Sequence, residues 1–205
     1  MCESCKPWKM SPFGPLTCKD CLGSGKVWTE FNHHHGGPEG EQVTCIHCDG
    51  HGLSKEGYRQ KKWDLRFLEL ARVVASWSKD PSSKCGAVIV RPNLTVMSMG
   101  YNGHPQGMSD APENYDDRSK KYSRVVHAEM NALLFSRDPL PLTGCTLYTT
   151  APPCDRCVVH CIQAGLHRYV FSAPSKGQKE RWNVAATMEY LKESSSVVVE
   201  VPADV

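Results

Sequence analysis

The chain has 205 residues, a formal net charge of +2, 40% apolar residues and eleven cysteines. So even a balance argues against a nucleic-acid scaffold coated in Lys and Arg, and the longest apolar runs are far too short to cross a bilayer. The opening MCESCKPWKM has no charged start followed by an apolar stretch, so it does not read as a secretion signal. Without such a signal, eleven cysteines point to metal ligation rather than disulfides.

Residues 1–57 form a segment of their own. They are rich in Cys, Gly, His and Pro, keep no period of 2 or 3.6, and carry five basic against seven acidic residues. Such a segment has too little apolar surface to fold by burial alone, and a bound metal is the usual remedy. Three CxxC pairs lie in it, Cys2/Cys5, Cys18/Cys21 and Cys45/Cys48; the last two sit in CKDCLGSG and CIHCDGHG, each a CxxCxGxG unit. A tight knuckle supplies two thiolates, and its glycines let backbone N–H groups turn toward sulfur. Two knuckles close one tetrahedral four-thiolate site with no open position. Cys18, Cys21, Cys45 and Cys48 are therefore the expected ligands of a structural zinc. Cys2 and Cys5 lack the glycines. They either replace the Cys18/Cys21 pair or take a further metal with His33, His34 or His35, or with His47 and His51.

From residue 58 to 205 the patterning is that of one α/β domain. Trp63, Phe67, Leu70, Val74 and Trp77 recur at spacings of four and three, a helix stripe. CGAVIV (85–90) and LTVMSMGY (94–101) read as buried strands joined by a short Arg-Pro-Asn turn. A loop rich in Gly, Pro and Asp follows over 102–118, then a helix opened by HAEMNALLFS and a strand, CTLYTT (145–150). Cys157, Val158, Cys161 and Ile162 make a helical stripe ended by Gly165. RYVFS (168–172) is a strand, WNVAATMEYLKE (182–193) a helix and VVVEV (197–201) a last strand. Helices alternating with strands predict a three-layer, helix-covered α/β fold. The unpaired Cys85, Cys145 and Cys161 read as small buried apolar residues.

His127 and Glu129 are ionisable groups on an otherwise apolar run, which is costly unless something binds them. Downstream, PPCDRC offers Cys154 and Cys157. Pro153 suits a helix start, which puts Cys154 at a helix N-terminus and Cys157 one turn on, where the helix dipole favours thiolate. One imidazole and two thiolates leave the fourth tetrahedral position to water, the mark of a catalytic zinc. Glu129 is then placed to move protons as a general acid–base.

His-x-Glu followed by Pro-Cys-x-x-Cys is the signature of zinc-dependent nucleobase deaminases. Taken with SKDPSSKCGAVIV, GYNGHPQGMSD and IQAGLHRYVF in that order, the chain resembles deoxycytidylate (dCMP) deaminases of the cytidine/deoxycytidylate deaminase family over residues 62–173. The resemblance implies a cytidine-deaminase-like fold with a mixed central sheet, and hydrolysis of dCMP to dUMP and ammonia. It implies substrate contacts from Asn102, Ser83, Ala128 and Arg124; for Arg124 a solvated loop arginine is the competing reading. It also implies a cytoplasmic homohexamer regulated by dCTP and dTTP, with Gly100, Asn102, Gly103 and Asp110 near the effector and magnesium accompanying a triphosphate. The CxxCxGxG units are similar to the zinc modules of DnaJ-type chaperones. Two alternatives stand beside dCMP: a bifunctional dCMP/dCTP deaminase, and a deaminase of cytosine or adenosine in nucleic acid that uses the knuckles for binding. Against the second, the knuckle segment is acidic and carries no basic run interleaved with aromatics.

Overall fold

The computed structural model describes residues 26–32, 37–44 and 55–202. The chain divides into two units, Met1–Trp63 and Asp64–Val205. In the first, β1 (Lys26–Asn32) and β2 (Gly37–Thr44) form an antiparallel hairpin in which Lys26 pairs with Thr44 and Asn32 with Gly37. Patterning predicts no strand here, because GPEGEQVT has no apolar alternation of its own. The expected structural-zinc ligands Cys2, Cys5, Cys18, Cys21, Cys45 and Cys48 lie outside the described residues.

The remaining elements follow in order: α1 (Lys55–Ser76), β3 (Gly86–Val90), β4 (Val96–Tyr101), α2 (Glu113–Asp116), α3 (Arg118–Arg124), α4 (Ala128–Leu134), β5 (Thr146–Thr149), α5 (Asp155–Gln163), β6 (Arg168–Ser172), α6 (Lys176–Arg181), α7 (Val184–Glu193) and β7 (Val197–Val201). The five later strands make one sheet in the order β4-β3-β5-β6-β7. β3 is antiparallel to both neighbours, while β5, β6 and β7 run parallel, so the sheet is mixed as the resemblance implies. Each strand falls on an apolar run identified in the sequence. Among the described residues no helix is long and apolar enough to cross a membrane.

Side chains alternate along each strand, and both faces are covered, which is why GAVIV of β3 is buried at every position. On one face Ala87, Ile89, Leu147, Tyr169 and Phe171 pack with Ala128 and Ala132 of α4, Val158 and Cys161 of α5 and Leu191 of α7. The other face meets α1. Phe67 packs on Tyr148 with ring centroids 5.1 Å apart. Asp64 Oδ1 accepts from Tyr148 Oη at 2.8 Å and Arg168 Nη1 at 2.9 Å, and its Oδ2 from Arg168 Nη2 at 2.7 Å. This two-pronged pair fastens α1 to β5 and β6 from within the core; Asp64 is only 4% exposed.

Two glycines let helices close on the sheet. A Cβ at Gly86 would overlap the Ala71 carbonyl of α1, and one at Gly100 the Ala128 carbonyl of α4. Gly100, expected near an effector, thus lies beneath the helix that follows His127. Gly165 ends α5 with φ +90°, the left-handed stop its position predicts.

Removing the Asp64 carboxylate strands a partly buried guanidinium. Asp64→Ala is expected to cost about 3–5 kcal/mol and Tyr148→Phe about 1 kcal/mol in urea unfolding. A loss below ~1 kcal/mol for Asp64→Ala would show that the pair is not what fastens α1.

Candidate active site

Two helix starts meet where β5 ends. His127 is the N-cap residue of α4, with φ −71° and ψ 157°. The chain just before it is fixed by a two-bond bridge: Gly103 N donates to Val126 O at 3.1 Å and Val126 N to Gly103 O at 2.9 Å. α4 is tied down further by Ser98 Oγ donating to Ala132 O and Asn131 Nδ2 to Tyr101 O, both at 2.7 Å. Cys154 is the N-cap of α5, and Cys157 sits in that helix's first turn, the arrangement expected from Pro153 and the CxxC spacing. Thr187 Oγ1 of α7 holds the preceding loop by donating to Pro153 O at 3.0 Å.

His127 Nδ1 lies 3.4 Å from both Cys154 Sγ and Cys157 Sγ, and the three atoms are mutually within 4.8 Å. Tetrahedral zinc with bonds of ~2.3 Å to sulfur and ~2.0 Å to nitrogen implies N···S edges of roughly 3.5 Å. The N···S spacing of the donor set therefore fits such an ion. Hydrogen bonding from Cys157, aided by His127, lowers the Cys154 thiol to about 4, and the N-terminus of α5 favours the same charge. That contact with Cys154, together with burial, pushes Cys157 up; a bound metal would deprotonate it. His127 is raised, first by its hydrogen bond to Cys154.

Glu129, in the first turn of α4, is 7% exposed. Burial raises its carboxyl, with His127 pulling the other way. Cys85 beside it is half-buried and pushed up to about 12, mainly by desolvation.

The opposite wall is organised by Asp80, itself 1% exposed. Its Oδ1 accepts from Ser82 N at 2.9 Å, Ser83 N at 3.1 Å and Lys121 Nζ at 2.8 Å, and its Oδ2 from Asn102 Nδ2 at 3.2 Å. Lys121 Nζ also donates to Ser82 Oγ. Asn102 Nδ2 spends its second proton on Ser83 O at 2.8 Å, and its Oδ1 accepts from Cys85 N at 2.7 Å. Burial alone would raise Asp80, but Lys121 and the two serine amides outweigh it and the net direction is down.

His127, Ala128, Glu129 and Cys154 line an open cavity together with Ser83 and Asn102 of the facing wall. Of the residues expected at the substrate, Arg124 alone lies outside this lining, exposed at the end of α3. α3 contributes Lys121 and Tyr122 to the lining instead, which also includes Val125, Arg181 and Trp182, none of which a local motif marks. Asp110 pairs with Lys79 Nζ at 2.8 Å and Tyr115 Oη at 2.9 Å; it too lies outside the lining, as do Gly100 and Gly103.

Residues 61–173 match the family described as the cytidine and deoxycytidylate deaminase zinc-binding region, and the chain belongs to this family. It is 36% identical over 146 residues to an uncharacterized deaminase in the luxG 3′ region of Aliivibrio fischeri, covering 70% of this chain and 97% of that one. With the deoxycytidylate deaminase of Mus musculus it shares 35% over 131 residues, 60% of this chain and 72% of the mouse protein. In fold it is similar to dCMP deaminase from the cyanophage S-TIM5, crystallised with dCMP and dUMP, at a TM-score of 0.55 and 20% identity over 68% of this chain and 97% of that one.

The Asp80 network makes a signed pH prediction. A carboxylate lowered from its ordinary 3.8 stabilises the fold above that pH, and the contribution is lost as pH falls through the lowered folded value. Asp80→Asn should therefore be destabilised by about 3–5 kcal/mol near neutral pH, because Lys121 is left buried and unpaired. In urea unfolding the gap to wild type should shrink below pH 3.8; a gap that stays constant or widens there would contradict this assignment.

Proposed function

We propose that this chain is a zinc-dependent hydrolase that converts dCMP to dUMP and ammonia. The observation that carries the reading is the meeting of His127, Cys154 and Cys157 beside a buried carboxyl, Glu129, in a chain related to deoxycytidylate deaminases. His127, Cys154 and Cys157 hold the metal. Bound zinc supplies Lewis acidity, which makes water a competent nucleophile near neutral pH. Glu129 stays outside the donor set and moves protons. It accepts one proton from the attacking water and passes it to the ring nitrogen next to the amino-bearing carbon, then takes the remaining hydroxyl proton from that carbon's new oxygen and delivers it to the departing amine. Burial, which raises its carboxyl, also keeps it out of bulk water and next to the reacting groups. The N–H of Ala128 belongs to the first turn of α4, where helix donors lack intrahelical partners, and meets the carbonyl oxygen of the base. Asn102 acts chiefly by holding Ser83 and Cys85 in place, since both its amide protons are taken by Asp80 and Ser83.

A structural zinc on Cys18, Cys21, Cys45 and Cys48 is part of the proposal, with Cys2 and Cys5 as further donors. The hairpin register supports it. Lys26 pairs with Thr44, so the two strand ends nearest in sequence to Cys21 and Cys45 are side by side. A homo-oligomer is also proposed: β4 is an edge strand carrying exposed Val96, Met99 and Tyr101, with Trp77 edge-on to Tyr101 at 6.2 Å. Hexameric assembly, cytoplasmic location and control by dCTP and dTTP, with magnesium accompanying the triphosphate, follow from the resemblance alone.

Purified protein should release ammonia from dCMP in preference to dCTP, deoxycytidine and a short oligonucleotide. Glu129→Ala should lower kcat by ~10²–10⁴ or more while zinc content stays at the wild-type level. Turnover of the oligonucleotide alone would reverse the substrate assignment, and loss of zinc would make Glu129 a ligand. Elemental analysis should find at least two zinc ions per chain, one lost in Cys45→Ser and another in Cys154→Ser. A single zinc in the wild type would remove the structural site.

A further inference from the structure

We infer that Arg181 takes the 5′-phosphate of the substrate nucleotide and so sets the preference for a nucleotide over a nucleoside. The inference rests on the dCMP reading above.

Among the described residues, the Lys and Arg side chains that line the cavity are Lys121 and Arg181. Lys121 is committed: it is 7% exposed and its Nζ lies 2.7 Å from Asp80 Oδ2. Its charge is matched inside the wall, so little is left for a second anion. Arg181 is exposed and forms no ion pair with any described residue. It is the uncommitted positive charge on this lining.

Its position is fixed by local structure. Ser175 and Gln178 cap α6 reciprocally, with Ser175 N donating to Gln178 Oε1 at 2.8 Å. The helix ends after Arg181, and Asn183 turns the chain with φ +49°. Asn183 Nδ2 then donates to Asp155 Oδ2 at 2.9 Å, and Thr187 holds Pro153 from the next turn. Both anchors lie on the loop and helix start that carry Cys154. The corner at 181–183 is thereby pinned to the same segment as the metal donors, with Trp182 next to Arg181 on the lining.

The chemistry orders the ligand. The amino-bearing ring carbon must reach buried Glu129, so the phosphate, at the far end of the nucleotide, comes to the exposed rim. A phosphate dianion there is met by a guanidinium able to bond two of its oxygens. A nucleoside gains nothing from the same group. Arg181 lies beyond residues 61–173, the part of the chain matched to the family.

The test compares dCMP with deoxycytidine for wild type, Arg181→Gln and Arg181→Lys. The dCMP-to-deoxycytidine ratio of kcat/KM should fall roughly 10–100-fold in Arg181→Gln, through KM for dCMP rather than kcat, with Arg181→Lys intermediate. Binding of dUMP relative to deoxyuridine, measured by calorimetry, should fall by a similar factor. An unchanged ratio in Arg181→Gln would place the phosphate elsewhere and overturn the inference. Equal losses on both substrates would also overturn it, making the corner merely structural. A wild type with no preference for dCMP would remove the dCMP reading itself, and this assignment with it.

Discussion

One constraint governs the molecule: an imidazole and two sulfurs must converge from two helix starts while a carboxyl stays buried beside them. Taken by themselves, these side chains are electrostatically costly to bring together. Cys154 carries a thiolate, and Glu129, next to it, is raised by burial with the Cys154 charge adding to the effect. A buried carboxylate and a half-buried thiolate beside it repel each other with little water to screen them. A cation among the three donors offsets that repulsion, and their N···S spacing suits one. The surrounding fold serves this convergence. Gly100 lets α4 settle on β4, the Gly103–Val126 bridge fixes the residue before His127, and Thr187 grips the loop before Cys154.

The second wall follows a different logic. It has no donor set for a metal, only one carboxylate, Asp80, that gathers two backbone amides, a carboxamide and a buried ammonium. Each acceptor position on Asp80 is used to fix the SKDPSSK turn against Asn102 and Lys121. A substrate entering between the walls meets rigid surfaces on both sides, which matters because misplacing reacting groups by an ångström costs rate steeply. The fully used amide of Asn102 is the clearest sign that this wall is built for positioning.

Much of this was legible in the sequence, for identifiable reasons. The strands of the main sheet are buried on both faces, so they appear as unbroken apolar runs such as GAVIV and RYVF. The cluster of His127, Cys154 and Cys157 is legible because each half is local: Pro before CxxC fixes a helix start, and His-x-Glu opens another. What escaped depends on tertiary neighbours. GPEGEQVT becomes a strand only by pairing with β1. The polar stretch over 104–123 hides α2 and α3, and with them Lys121; Lys121 is buried against Asp80, while Arg124, one turn on at the last residue of α3, is exposed. α6 did leave a trace, the S-x-x-Q capping box at Ser175, but nothing local says that its last residue reaches the cavity.

The most direct test of the central claim is a crystal structure of the purified protein with anomalous data collected on both sides of the zinc absorption edge. The account predicts a zinc peak bonded to His127 Nδ1, Cys154 Sγ and Cys157 Sγ, with no carboxylate oxygen of Glu129 in its coordination. A peak coordinated by Glu129 or by any fourth side chain, or no zinc between those three atoms, would contradict it.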